Sequence, residues 1–288
     1  MTDIPVKKYR VRRLRKWFKR KLVPFAVQAG KVSAKWAKPD RKHFPPRSQA
    51  DVPGLGRYEY SWLSQNGEDG ILRYIFNEIG FESRWFVEFG FGAAQCNALR
   101  LMLKEDFHGL LMDGSGENVR CFKHAAGRLG IDRVTAVHTF ITRENLQQLV
   151  QDNGVPRDID LLSLDVDGND YWFWEELECI SPRVVCIEYN AGIGPELALT
   201  VPYDESFERY SKHASGFFYG ASLAALEALG RRKGYYLIGC DSTGTNAFFL
   251  RDDIEIDGVP GLTASEAFRP QRNCYATLDL RCWMSGRQ

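Results

Sequence analysis

The sequence predicts an α/β protein: a doubly wound, mostly parallel sheet of the Rossmann-like kind, preceded by a basic helical arm. Three observations predict it. From about Tyr58 onward, short continuous apolar runs alternate with helical patterns, as in a parallel sheet covered on both faces. Four of those runs end in an acid or lead directly into one. And charge divides the chain, with 16 Lys and Arg against two acids up to Ser48 and 22 against 35 beyond it. The net charge of +1 therefore hides a strongly basic front and an acidic body.

The elements follow in order. Residues 7–23 carry ten Lys or Arg and no acid, with Val11, Leu14, Phe18 and Leu22 on one helical stripe and Pro24 beyond it. Such a basic amphipathic helix fits an anionic membrane surface, an acidic protein surface or, less readily, a nucleic acid; no nucleic-acid-binding fold signature follows it. Residues 30–57, with four prolines, read as a linker.

A helix is expected over Asn66–Ile79, capped by Asn66. Strand Trp85–Phe89 then leads through Gly90-Phe91-Gly92 into helix Ala93–Lys104. Strand Gly109–Asp113, helix Glu117–Arg128 and strand Val134–His138 come next, then helix Arg143–Val150 and strand Ile159–Asp165. Helix Tyr171–Leu177, strand Val184–Glu188 and helix Ala221–Lys233 lead to a closing pair, Tyr235–Gly239 and Ala247–Leu250. Asp241–Asn246 has the composition of a hairpin turn.

The expected organisation is an arm and linker over 1–57, an α/β domain over 58–255 and a C-terminal extension over 256–288 packed on it. A content of 44% hydrophobic and 13% aromatic residues is ample for the core. Seven scattered cysteines with no CxxC argue against a zinc or disulfide framework. No apolar run approaches the ~18–20 residues that span a bilayer. The basic front lacks the apolar core of a secretory signal. A cytoplasmic protein is expected, with the arm offering peripheral attachment at the inner membrane face.

Ligands of parallel sheets bind beyond the carboxyl ends of the strands. Gly90 and Gly92 permit a tight turn there, but no third glycine completes a dinucleotide fingerprint. Asp113, about 20 residues on, is placed to accept hydrogen bonds from a ribose diol. Glu88 beside the loop suits the cationic end of S-adenosylmethionine better than a pyrophosphate. The rival ligand class is a nicotinamide dinucleotide.

The stretches Ser64–Gly70 (SQNGEDG), Phe86–Gly90 (FVEFG), Asp165–Asp170 (DVDGND) and Ile187–Asn190 (IEYN) resemble the FkbM-like methyltransferases, over roughly residues 60–255. The resemblance implies a seven-stranded sheet with its last strand antiparallel and an S-adenosylmethionine-dependent O-methyltransferase acting on a carbohydrate or glycoconjugate hydroxyl. It implies that Glu88, Gly90 and Gly92 belong to the cofactor loop, Asp113 to the ribose site and Gln65 to the pocket edge. One departure stands out: His138-Thr139-Phe140 follows the third strand, where many class I enzymes carry an acid for the adenine amino group.

Methyl transfer to an alcohol needs the hydroxyl proton removed or polarised. Asp165 is the first candidate for that work. His213, in the long segment after the fifth strand, is a second base candidate. Asp165, Glu188 and Asn190 also form a hard-oxygen set suited to Mg²⁺. Asp167–Asp170 reads equally as a turn and helix cap. The aromatics Tyr203, Phe207, Tyr210, Phe217, Phe218 and Tyr219 fit sugar stacking or a small core under the loop. The alternative to an enzyme is a non-catalytic scaffold of the same fold docking through its basic arm.

Overall fold

The computed structural model describes residues 54–61, 64–92, 96–213 and 216–271, and the backbone of 284–285. The expected arm helix and nearly all of the linker lie outside these residues.

Five parallel strands form first: β1 (Trp85–Phe89), β2 (His108–Asp113), β3 (Val134–His138), β4 (Asp158–Leu164) and β5 (Ser181–Glu188). The short β6 (Leu199–Thr200) pairs with β9 (Met284–Ser285) outside the main sheet. β7 (Tyr235–Cys240) and β8 (Asn246–Arg251) complete the main sheet, whose order is β3-β2-β1-β4-β5-β8-β7. Within the main sheet β8 alone runs opposite to the other six strands. From β1 the chain winds outward to β2 and β3, then returns to place β4 and β5 on the other side. That reversal puts the switch point between the tips of β1 and β4, where sheets of this kind form their ligand crevice.

Eight helices are described: α1 (Glu68–Ile79), α2 (Leu99–Lys104), α3 (Gly116–Leu129), α4 (Leu146–Asp152), α5 (Asp170–Glu176), α6 (Arg209–Lys212), α7 (Leu223–Arg232) and α8 (Ala264–Ala267). Ser115 and Ser222 start α3 and α7 by accepting from the amides of Asn118 and Ala225. Each cap satisfies an otherwise orphaned N–H. Asn66 does not cap α1. Gly67, with φ of 98°, turns the chain into the helix, and the Asn66 amide donates instead to Glu68 Oε2.

The strands are apolar on both faces because both faces are covered. Phe86, Leu161, Val184 and Phe248 enter one core. Their chain neighbours Val87, Leu162, Val185 and Phe249 enter the other. Each such side chain, fully buried, contributes about 1.5–3 kcal/mol. At the amino-terminal edge, buried Arg183 donates to Asp160 at 2.9 Å, and to the carbonyls of Gly80 and Ile79. Asp160 also accepts from the amides of Glu82 and Arg84. This pair fixes the end of α1 to β4 and β5, leaving the opposite edge for chemistry.

Residues of the expected extension lie against the sheet. The Leu262 amide donates to the Leu237 carbonyl, and Thr263 and Glu266 form a capping box on α8. Tyr189, fully buried, donates its hydroxyl to the Arg269 carbonyl at 2.8 Å. The five described cysteines are free thiols. Among the described residues no helix is long and apolar enough to cross a membrane.

Candidate active site at the carboxyl edge of the sheet

β1 delivers Glu88 and Gly90 to the crevice. Glu88 is 3% exposed and faces inward. Its carboxylate accepts from the amides of Asn97 at 2.8 Å and Ala98 at 2.9 Å, and the Cys96 thiol donates to it at 3.3 Å. It therefore organises the start of α2 from beneath. Burial pushes its carboxyl up to about 7 despite those three donors. Asn97 continues the network by donating to Ser163 Oγ on β4 at 3.1 Å.

Gly90 adopts φ of 77°, and its amide donates to the Met112 carbonyl. No side chain fits there, since the Asp165 carbonyl oxygen occupies the space. Gly92 is half-buried, and the next three residues lie outside those described. Gln65 is exposed at the start of the segment leading into α1.

β2 ends in half-buried Asp113. Its Oδ1 accepts from the Ser115 amide and from Asn118 Nδ2, and its Oδ2 accepts no hydrogen bond among the described residues. Burial raises this carboxyl above the ordinary range. A carboxylate held by one oxygen, with the other free at the mouth of a crevice, is a suitable acceptor for a diol. Beyond β3, the Phe140 ring is 56% exposed and faces Gly114.

β4 and β5 supply acids. One carboxylate oxygen from each of Asp165, Asp167 and Glu188 lies within 4.8 Å of the other two. Opposite ligands of a cation bound at 2.1–2.6 Å are about 4–5 Å apart, so the spacing suits Mg²⁺ or Ca²⁺. Glu188 is 6% exposed, and its Oε2 is buried with no hydrogen-bond partner. Desolvation, and then repulsion from the neighbouring acids, holds the Asp165 and Glu188 carboxyls well above the usual range. An orphaned oxygen among hard donors fits a cation or a donated hydroxyl.

Two sequence expectations shift here. Asn190 stands close in sequence, but its amide is otherwise engaged. It donates to the carbonyls of Phe217 and Tyr219 and accepts from the Gly192 amide. The third member of the acid group is Asp167, in the left-handed region at φ of 61°. Asp170 is fully buried and accepts from the amides of Val166 and Gly168. The turn reading of DVDGND thus holds for Asp170, while the Asp165 and Asp167 carboxylates belong to the acid group.

The segment after β6 crosses this edge as a strap. The Trp172 indole donates to the Val201 carbonyl, Asn169 to the Asp204 carbonyl, and the Arg143 amide to the Tyr203 hydroxyl. Phe207 and Tyr219 pack with Ile193 and Val201 in a small core, which is the loop-core reading of those two aromatics. Tyr210 is exposed. His213 is exposed at the end of α6, and its carbonyl accepts from the Gly216 amide.

Sequence reasoning missed Arg209, because a lone arginine in a long loop carries no periodic signal. Its guanidinium bonds Asp167 at 2.7 Å, approaches Glu188 at 3.7 Å and lies 3.5 Å from the centre of the Tyr219 ring. A separate cleft of about 460 Å³ opens at the other edge of β4 and β5, between Trp174, Ser181, Lys233 and Tyr235. No residue of the acid group borders it.

The strand order is that of the predicted Rossmann-like, doubly wound sheet. No protein-family profile and no curated protein sequence matches the chain. Solved structures of similar architecture include the N-terminal domain of EvdMO1 with SAH bound, 12% identical with a TM-score of 0.42, covering 66% of this chain and 81% of that one. An O-methyltransferase from Bacillus cereus in complex with SAH is 14% identical with a TM-score of 0.42, covering 82% of this chain and 94% of that one. A methyltransferase from Geobacter sulfurreducens is 13% identical with a TM-score of 0.41, over 65% and 79%. The fold assignment stands on the strand order itself.

Proposed function

We propose that the protein is an S-adenosylmethionine-dependent O-methyltransferase, FkbM-like in its motifs, acting on a hydroxyl of a carbohydrate or glycoconjugate. One observation carries this reading. The half-buried Asp113 carboxylate at the β2 tip and the acids Asp165, Asp167 and Glu188 past β4 and β5 stand on the same edge of the sheet, on either side of the switch point. The first suits the cofactor ribose and the second a hydroxyl acceptor.

The cofactor supplies an electrophilic methyl on a sulfonium. Asp113 Oδ2 holds the ribose diol, and Glu88 holds the loop on which the cofactor lies. Asp165 would accept the acceptor's hydroxyl proton, and the cofactor, when bound, would supply its methyl to that oxygen with the C–S electron pair left on sulfur. Its raised pKa makes it a stronger base than an exposed carboxylate. Glu188 orients the hydroxyl through its unpartnered oxygen, and His213 is the alternative base. Asp165, Asp167 and Glu188 are the residues that would hold Mg²⁺, which would lower the hydroxyl's pKa.

The basic arm extends the reading to location. Its ten cations within residues 7–21 favour an anionic membrane surface, at up to about 1 kcal/mol each. That would keep the enzyme beside membrane-linked glycoconjugates. Sedimentation with anionic liposomes tests this: deletion of residues 1–48 should abolish binding, and undiminished binding removes the idea.

The activity is tested by calorimetry with S-adenosylhomocysteine, followed by labelled methyl transfer to glycan fractions. Binding that is lost in Asp113→Ala, with label entering carbohydrate, supports the reading. Absence of binding at millimolar ligand overturns it, and a preference for NADH would point to an oxidoreductase.

A further inference from the structure

We propose that Arg209 is a built-in competitor for a divalent cation at Asp165, Asp167 and Glu188. The inference rests on the metal reading of that acid group.

Three carboxylates stand together, and one guanidinium meets two of them. Arg209 satisfies Asp167 with a 2.7 Å hydrogen bond but reaches Glu188 only at 3.7 Å. It forms no ion pair with Asp165, and Glu188 Oε2 stays buried and without a donor. The arginine therefore answers one acid well and leaves two of them largely uncompensated. A compact divalent ion within the 4.8 Å group could touch all three residues.

The acids stand on the sheet edge and a locked turn, whereas the arginine comes from the strap. Glu188 belongs to β5, and the turn bearing Asp165 and Asp167 is locked by Asp170 through the amides of Val166 and Gly168. Arg209 instead opens α6, a four-residue helix with no buried residue. The foot of the strap is fastened by Trp172 and Asn169, and Phe207 lies against Gly168. Beyond Phe207, the arginine is held at the site by three contacts: Asp167, the Gly216 carbonyl and the Tyr219 ring. An entering cation would break the first and leave the foot of the strap in place. Arginine suits this role because it is always charged and its flat face stacks on tyrosine.

The consequence is a site tuned to weak binding. Removing one charge-assisted hydrogen bond that opposes the ion should tighten binding about 10- to 100-fold. The probe is Mn²⁺, counted by electron paramagnetic resonance of the full-length protein without cofactor or acceptor. Arg209→Gln should bind Mn²⁺ about 10- to 100-fold more tightly than the unaltered chain. Arg209→Lys keeps the charge but loses the stacking plane, so it should fall between them; it also guards against a folding defect in the glutamine variant. Asp165→Asn in the Arg209→Gln background should lose the gain. Equal Mn²⁺ affinity in all three Arg209 forms overturns the competition and leaves the metal reading standing. No binding in any form overturns both. Either result leaves methyl transfer to be judged on its own assay.

Discussion

The carbonyl oxygen of Asp165 lies 1.7 Å from where a Cβ would stand at Gly90. The loop after β1 and the turn after β4 are thus pressed together at the switch point, and only glycine permits it. Gly90 also needs φ of 77°, which other residues adopt at a cost. Gly90→Ala should cost about 3–5 kcal/mol, combining strain with a backbone clash. Urea unfolding reads the stability. S-adenosylhomocysteine calorimetry on the folded fraction should show weakened binding.

Glu88 ties stability to pH. Its carboxyl titrates near 7 in the folded chain against 4.5 as a free side chain, and burial is the main cause. A raised acid binds its proton more tightly when folded. Its stabilising contribution is therefore complete below about pH 4.5 and is lost as pH rises through about 7. The full difference is about 3 kcal/mol. Thermal unfolding should show Tm rising as pH falls from about 7 to about 4.5, and Glu88→Gln should reduce that rise. An unchanged pH profile in the variant would assign the effect to other acids.

The sheet was legible because the strands are short apolar runs, most of them bounded by a glycine, a proline or an acid. β1 and β3 fall on their expected residues, and the other main-sheet strands lie within three residues of theirs. Helix starts were less legible. Asn66 has the side chain of a cap, but Gly67 supplies the geometry. α2 and α4 begin later than their apolar patterns suggest. At the site, acids ending strands were readable, because strand ends face the crevice in any parallel sheet. Asp167 and Arg209 were not: one depends on a left-handed turn, and the other on a strap folding back across the edge.

Asp160 and Arg183 set the opposite edge. Both are buried, at 0% and 4% exposure. Removing one partner strands the other charge away from water, at a cost of about 3–5 kcal/mol. Arg183→Met should show that loss in chemical denaturation. Its pair lies at the far ends of the strands, so the affinity of the folded fraction for S-adenosylhomocysteine should be unchanged. A large fall in that affinity would mean that the two edges are coupled through the sheet.

Phe140 is the last residue to test, because no acid follows β3 to hold an adenine amino group. The ring is 56% exposed and so open to a ligand. It stands 3.5 Å from where a Gly114 Cβ would be, one residue beyond Asp113 in the chain. A planar base resting on this ring would place its ribose toward Asp113. Stacking of this kind contributes about 0.5–1.5 kcal/mol beyond area burial. Phe140→Ala should weaken S-adenosylhomocysteine about 10-fold, and Phe140→Trp should preserve binding. Because Phe140 packs in neither core, Tm should barely move. Equal affinity in all three forms would put the adenine elsewhere, against the backbone of the β3 tip.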